Sequence, residues 1–166
     1  MILYLCASVG KNLELTKELH QIGEDYFESS EIVNLVNLDL PLYSTIEEKN
    51  GIPENAKSLT EKMIHAKALV YIAPEYNGLI PPVLNNAIAW VSRSGGEDWR
   101  AAFNGKLAVI ATHSGGGGDK ALNAMRMQLQ HLGTTVLARQ LLTHYQKALN
   151  PESAQAIFMQ LKSLIK

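Results

Sequence analysis

Three short stretches of this chain carry side chains that could do chemistry together. In Pro74-Glu75-Tyr76-Asn77-Gly78, a carboxylate, an aromatic ring and an amide follow directly on an apolar run. Pro74 has no N–H to give to a ladder and ends that run. Gly78 accepts the positive φ of a tight turn. As bare turn chemistry, Asn77-Gly78 is common and Tyr76 would be surface filler. Ser8-Val9-Gly10-Lys11-Asn12 is short, polar and opens a helix. Backbone N–H groups and the helix dipole favour a phosphate there, with Ser8 and Asn12 as side-chain donors and Lys11 as a charge. Ser8 or Asn12 would serve equally as a plain N-cap. The third stretch, His113-Ser114-Gly115-Gly116-Gly117-Gly118, is either a flexible connector or a loop whose backbone approaches a ligand closely.

Other chemistries find no support in the residue pattern. The five histidines are scattered without ligand-type pairs, so no metal site is expected. The single Cys6 excludes an internal disulfide and lies in an apolar run, as a buried inert thiol would. Ser114 sits in no Gly-x-Ser-x-Gly elbow. The glycine run ends in neither Gly-Lys-Ser nor Gly-Lys-Thr, and Lys120 stands where a dinucleotide fingerprint needs its third glycine. No side chain is singled out as nucleophile or general acid.

The elements that must position these stretches follow from periodicity. Strand candidates occur at 2–7, 32–36, 68–73, 106–112 and 134–138, the first and third of them continuously apolar. Strands of this kind are covered on both faces. Between them, apolar residues recur at helical spacing over about 13–27, 53–65, 81–91, 119–131 and from Pro151 onward. Pro81 and Pro82 suit a first helical turn. Five strands alternating with five helices predict an α/β domain with a parallel sheet flanked by helices. Right-handed crossovers leave the order 2-1-3-4-5 as the common solution, with its ligand site where the order reverses. The loops after strands one, three and four then meet at one end of the sheet. They are the three stretches named above.

At 166 residues, 46% hydrophobic and 19% charged, the chain is expected to fold as one domain over 1–166. A net charge of -1 recruits neither nucleic acid nor an acidic membrane, and lacks the acidic surface of a carrier that docks on proteins. No apolar run approaches the ~20 residues of a membrane span. Met1-Ile2-Leu3-Tyr4-Leu5 has no basic leader, so a cytoplasmic protein is expected.

Pro74-Glu75-Tyr76-Asn77-Gly78, followed by Ile80-Pro81, Leu84, Asn86-Ala87-Ile88 and Trp90, closely resembles the signature of the NADPH-dependent FMN reductase family. Leu38-Asp39-Leu40-Pro41-Leu42-Tyr43 is similar to a segment that follows the family's second strand. The resemblance implies a flavodoxin-like three-layer α/β/α sandwich, bound FMN, and NAD(P)H as co-substrate. It implies hydride transfer through the flavin to a small acceptor such as a quinone, an azo compound or free flavin. The alternative is a flavin-binding electron carrier or regulatory module without turnover. A homodimer or homotetramer is implied as well. Ser8, Gly10, Lys11 and Asn12 would meet the phosphate. Pro74, Glu75, Tyr76, Asn77 and Gly78, with His113, Ser114, Gly115 and Gly116, would line the ring. Trp90 belongs in the core or at a subunit interface. Acceptor choice is expected to depend on the irregular stretch 92–105.

The chain departs from the family pattern in two places. The first turn, usually Gly-Ser-x-Arg-x-x-Ser-x-Asn, is shortened: Ala7 stands for Gly, and no Arg follows unless Lys11 replaces it. An ammonium cannot repeat a bidentate guanidinium clamp. Ala89 stands where the family often has Asp.

Overall fold

The computed structural model describes residues 1–165. In chain order the elements are β1 (Ile2–Cys6), α1 (Lys11–Glu24), β2 (Ser30–Asn34), α2 (Glu54–His65), β3 (Ala68–Ile72), α3 (Pro82–Ser94), β4 (Leu107–His113), α4 (Asp119–His131), β5 (Thr135–Val136), β6 (Leu141–Thr143) and α5 (Pro151–Leu164). All strand pairings are parallel, in the order β2-β1-β3-β4-β5, with β6 also on β4. The expected order is therefore observed.

Strand alternation divides the core in two. Leu3, Leu5, Leu69, Tyr71 and Ile110 face α2, α3 and α4, where Leu59, Met63, Leu84, Ile88, Leu122 and Leu129 meet them. Ile2, Tyr4, Val70, Ile72 and Val109 face α1 and α5, packing on Leu15, Leu19, Ile157, Phe158 and Leu161. Both faces are covered, which is why these strands are apolar throughout rather than alternating.

Three elements differ from the sequence expectation. β2 runs over Ser30–Asn34, two residues before the expected 32–36. It ends because Asn34 Oδ1 accepts from Val36 N (3.0 Å) and caps a 3-10 turn over Leu35–Leu38. The fifth strand, expected over 134–138, is cut to β5 (Thr135–Val136), and β6 (Leu141–Thr143) is a sixth strand beyond the expected bounds. Arg126 of α4 holds the chain after β5: its guanidinium donates to the carbonyls of Val136 (3.3 Å), Leu137 (2.8 Å) and Ala138 (3.2 Å). Those carbonyls are satisfied without a neighbouring strand. Third, α3 extends to Ser94, so the stretch 92–105 begins as helix. α5 starts as expected, with Asn150 Oδ1 accepting from Ser153 N and Pro151 in the first turn.

Candidate active site

Parallel strands place the ends of β1, β3 and β4 side by side: Cys6 pairs with Ile72, and Ile72 with Ala111. The three stretches singled out in the sequence leave the sheet from those ends.

The first is shorter than expected, because α1 already includes Lys11 and Asn12. Ser8 carbonyl accepts from the Cys6 thiol (3.3 Å) and from Asn34 Nδ2 (3.0 Å). Ser8 Oγ accepts from Gly10 N (3.1 Å), which leaves the hydroxyl hydrogen free to donate. Leu13 N and Glu14 N both turn to the Gly10 carbonyl. The N–H groups of Lys11 and Asn12 are the open donors of the helix start. Two expectations change here. Asn12 is buried, and its side-chain amide is occupied by the His113 backbone, so its remaining donor toward a ligand is its N–H. Lys11 Nζ pairs with Glu14 Oε2 at 2.7 Å, and that contact raises its pKa.

After β3, Tyr76 and Leu79 exchange both backbone hydrogen bonds (2.9 and 3.0 Å) around Asn77 and Gly78. Both central residues have positive φ, 54° and 80°, as a type I′ hairpin turn requires. The turn lifts Tyr76 out to 54% exposure. Pro74 is buried beneath it, and Glu75 Oε2 is buried without a partner. Thr112 Oγ1 donates to the Ala73 carbonyl (2.6 Å), locking this loop to β4.

His113, expected on the third loop, is instead the last residue of β4. Its Nδ1 meets Thr143 Oγ1 at 3.0 Å, its ring stands edge-on to Tyr145, and its Nε2 is buried without a partner. Ser114 N donates to Thr143 carbonyl, and Ser114 Oγ accepts from Gly116 N. Gly115, Gly116 and Gly117 are exposed. Gly118 has φ 85°, and a Cβ there would stand 2.5 Å from Leu142 and 2.7 Å from Thr112. The loop thus needs glycine for close packing at Gly118 as well as for backbone freedom.

A family model described as NADPH-dependent FMN reductase matches residues 1–148. The chain belongs to that family. Quinone reductase of Escherichia coli is 33% identical over 102 residues, 60% of this chain and 52% of that protein. The matched stretch is about half of that relative's length. The flavoenzyme NAD(P)H:(acceptor) oxidoreductase FerB of Paracoccus denitrificans superposes with a TM-score of 0.80 at 24% identity, over 99% of this chain and 96% of that one. A flavodoxin from the domain Archaea superposes with a TM-score of 0.68 at 9% identity, over 99% of this chain and 96% of that one. The fold is flavodoxin-like.

FMN and NAD(P)H, the cofactor and electron donor of this reductase family, are what the site has to fit. The donor set suits the cofactor. Open N–H groups at the start of α1 and the Ser8 hydroxyl can take a phosphate. The exposed Tyr76 and the bare backbone of Gly115 and Gly116 can take a flat ring. The buried, unpartnered Glu75 Oε2 is an acceptor for an N–H on the ring's polar edge. A cleft of about 250 Å³ borders the same site from the α1 side, lined by Lys11, Glu14, His113, Thr143 and Tyr145. It does not reach Pro74–Gly78.

Several residues have roles here that neither motif nor spacing discloses. Asn34, Thr143 and Tyr145 support the first and third loops. Asn86, Trp90 and Arg93 lie on one face of α3 at i, i+4 and i+7. Asn86 accepts from Tyr43 N and donates to the Leu40 and Pro41 carbonyls. Trp90 is fully buried, and its Nε1 donates to Pro41 carbonyl at 2.7 Å. Arg93 meets Glu48, which also accepts from the Tyr43 hydroxyl. So the second half of the family signature fastens the segment after β2. Past Arg93 the stretch 92–105 leaves this segment. It leads into the amino end of β4, where Lys106 donates to the Ile64 and Ala66 carbonyls ahead of β3. Within one copy of the chain its far end sits at the amino end of β4, opposite the three loops.

Proposed function

We propose that this protein oxidises NAD(P)H and passes the electrons through bound FMN to a small acceptor, a quinone, an azo compound or free flavin. The observation that carries this reading is the convergence of three differently built loops at the ends of β1, β3 and β4. One offers open N–H donors, one an exposed aromatic on a rigid turn, and one a bare glycine backbone. When bound, FMN supplies the hydride chemistry itself. The chain's own groups bind and orient. Ser8 and the first N–H groups of α1 hold a phosphate, Tyr76 and Asn77 fix a ring, and Glu75 accepts from its edge. No side chain has to act as nucleophile. The protein works in the cytoplasm as a homodimer or homotetramer, which the exposed apolar groove between α3 and α4 supports.

Titration of the purified protein with FMN, followed by flavin fluorescence, tests the reading. Stoichiometric saturation is expected, and then NAD(P)H consumption with a quinone and no partner protein. One observation favours the alternative of a flavin-binding module without turnover. The Lys11 charge is already matched by Glu14, which leaves the phosphate loop without a free cation of its own. Saturable FMN binding without any NAD(P)H consumption would establish that alternative.

A further inference from the structure

Asn12 and Asn34 flank the first loop, and both use their side-chain amides on backbone groups. Asn12 Oδ1 accepts from His113 N at 2.7 Å, and Asn12 Nδ2 donates to His113 carbonyl at 2.9 Å. This two-bond grip spans 101 positions of sequence and crosses over β3 to the end of β4. Asn12 is 3% exposed, so neither bond competes with water. On the other flank, Asn34 Nδ2 donates to Ser8 carbonyl at 3.0 Å, while its Oδ1 caps the turn after β2.

We propose that Asn12 and Asn34 are positioning residues that preorganise Ser8–Asn12 as a receptor for a phosphomonoester dianion, in place of an arginine. The proposal rests on the FMN reading above. Its physical basis is the source of attraction left in this loop. No arginine is present, and the Lys11 ammonium is paired with Glu14. Binding then depends on oriented N–H dipoles, those of Lys11 and Asn12 and the Ser8 hydroxyl. Dipoles attract an anion only when they are aimed before it arrives, because ordering a mobile loop on binding costs affinity. Pinning the loop to β2 on one side and to β4 on the other aims them in advance.

Neither asparagine side chain has to touch the ligand. The test is therefore a ratio of affinities, which a merely structural role would leave unchanged. Apoprotein, Asn12→Ala and Asn34→Ser are each titrated with FMN and with riboflavin, the same ring without a phosphate. Serine at 34 keeps an acceptor for Val36 N but is too short to reach Ser8. It stands on a half-buried position, so it remains informative should the buried Asn12→Ala fail to fold. Asn34→Ser should bind FMN about tenfold more weakly, the scale of one lost hydrogen bond, and Asn12→Ala, which loses two, at least as much more weakly. Riboflavin affinity should stay within about twofold, since ring contacts are untouched. Unchanged FMN affinity in the variants overturns the proposal, and so does an equal loss for both flavins. Wild-type protein that binds riboflavin as well as FMN overturns it too, while leaving the flavin reading intact. Wild-type protein that takes up neither flavin overturns both.

Discussion

A methyl group added at Gly23 would stand 2.1 Å from the Tyr4 hydroxyl. Tyr4 is fully buried, its hydroxyl reaches the Leu19 carbonyl at 3.4 Å, and burial pushes its pKa well up. The ring cannot move aside, because His20 and Phe158 stand edge-on to it. Alanine would gain ~1 kcal/mol of helix propensity and lose ~1–3 kcal/mol to overpacking. Gly23→Ala should therefore destabilise the protein, by up to about 2 kcal/mol in urea unfolding. A variant as stable as wild type would mean that α1 shifts freely on the sheet. At the site, Asn77 and Gly78 show the same kind of control. Their positive φ values were legible in the sequence, since few other residues adopt such a turn.

The segment from Leu40 to Glu48 has little regular structure, yet α3 straps it down with Asn86, Trp90 and Arg93. The strap should respond to pH at both ends. The Tyr43 hydroxyl, and after it Arg93, hold the Glu48 carboxyl below its usual range. A carboxylate with a lowered pKa stabilises fully above its unfolded value, ~4.3, and the effect is lost as pH falls through the lowered one. The same bond pushes the Tyr43 hydroxyl up. Its share is complete below the ordinary tyrosine value, ~10, and is lost as pH rises through the raised one. Tyr43 and Trp90 stand edge-on at 5.2 Å, so near-ultraviolet circular dichroism reports on them. The signal should be flat between these limits and fall outside them. Tyr43→Phe should abolish the alkaline limb and leave only the weaker acid limb that Arg93 supports. An alkaline limb that survives in Tyr43→Phe would assign it to another group.

At the scale of the molecule, an exposed apolar groove lies between α3 and α4, lined by Leu79, Ile80, Pro82, Asn85, Met127 and Gln128. Leu79 is 60% and Met127 71% exposed. Gln128 Nε2 donates to Asn85 Oδ1 at 2.7 Å, which leaves Gln128 Oε1 buried without a partner. Asn85 Nδ2 makes no hydrogen bond among the described residues. A leftover donor and a leftover acceptor on one patch are what a two-fold axis can pair. Leu79 also belongs to the Tyr76–Leu79 turn, so association through this face would reach the site. Met127→Glu should shift the mass in light scattering from a dimer or tetramer to a monomer, with thermal stability retained. Wild-type protein that runs as a monomer, or an unchanged variant, would move the interface elsewhere.

The sequence by itself determined the parallel sheet, its order, and the three loops that meet at its carboxyl end. Local rules suffice for these: strand-length apolar runs, helical periodicity, right-handed crossovers and the turn chemistry of proline, asparagine and glycine. It also placed the family signature on the correct turn. Tertiary structure alone decided what Asn12, Asn34, Asn86 and Arg126 do. Their partners cannot be read from the sequence, and all four direct their side chains onto distant backbone. Arg126 holds the carbonyls where the expected fifth strand stops short. Asn12 looks like a phosphate ligand until its partner, 101 positions away, is seen. The physical reason is common to these cases. A side-chain amide or guanidinium carries no preference for one backbone group over another, so its partner is chosen only by which backbone groups the packed fold leaves within reach.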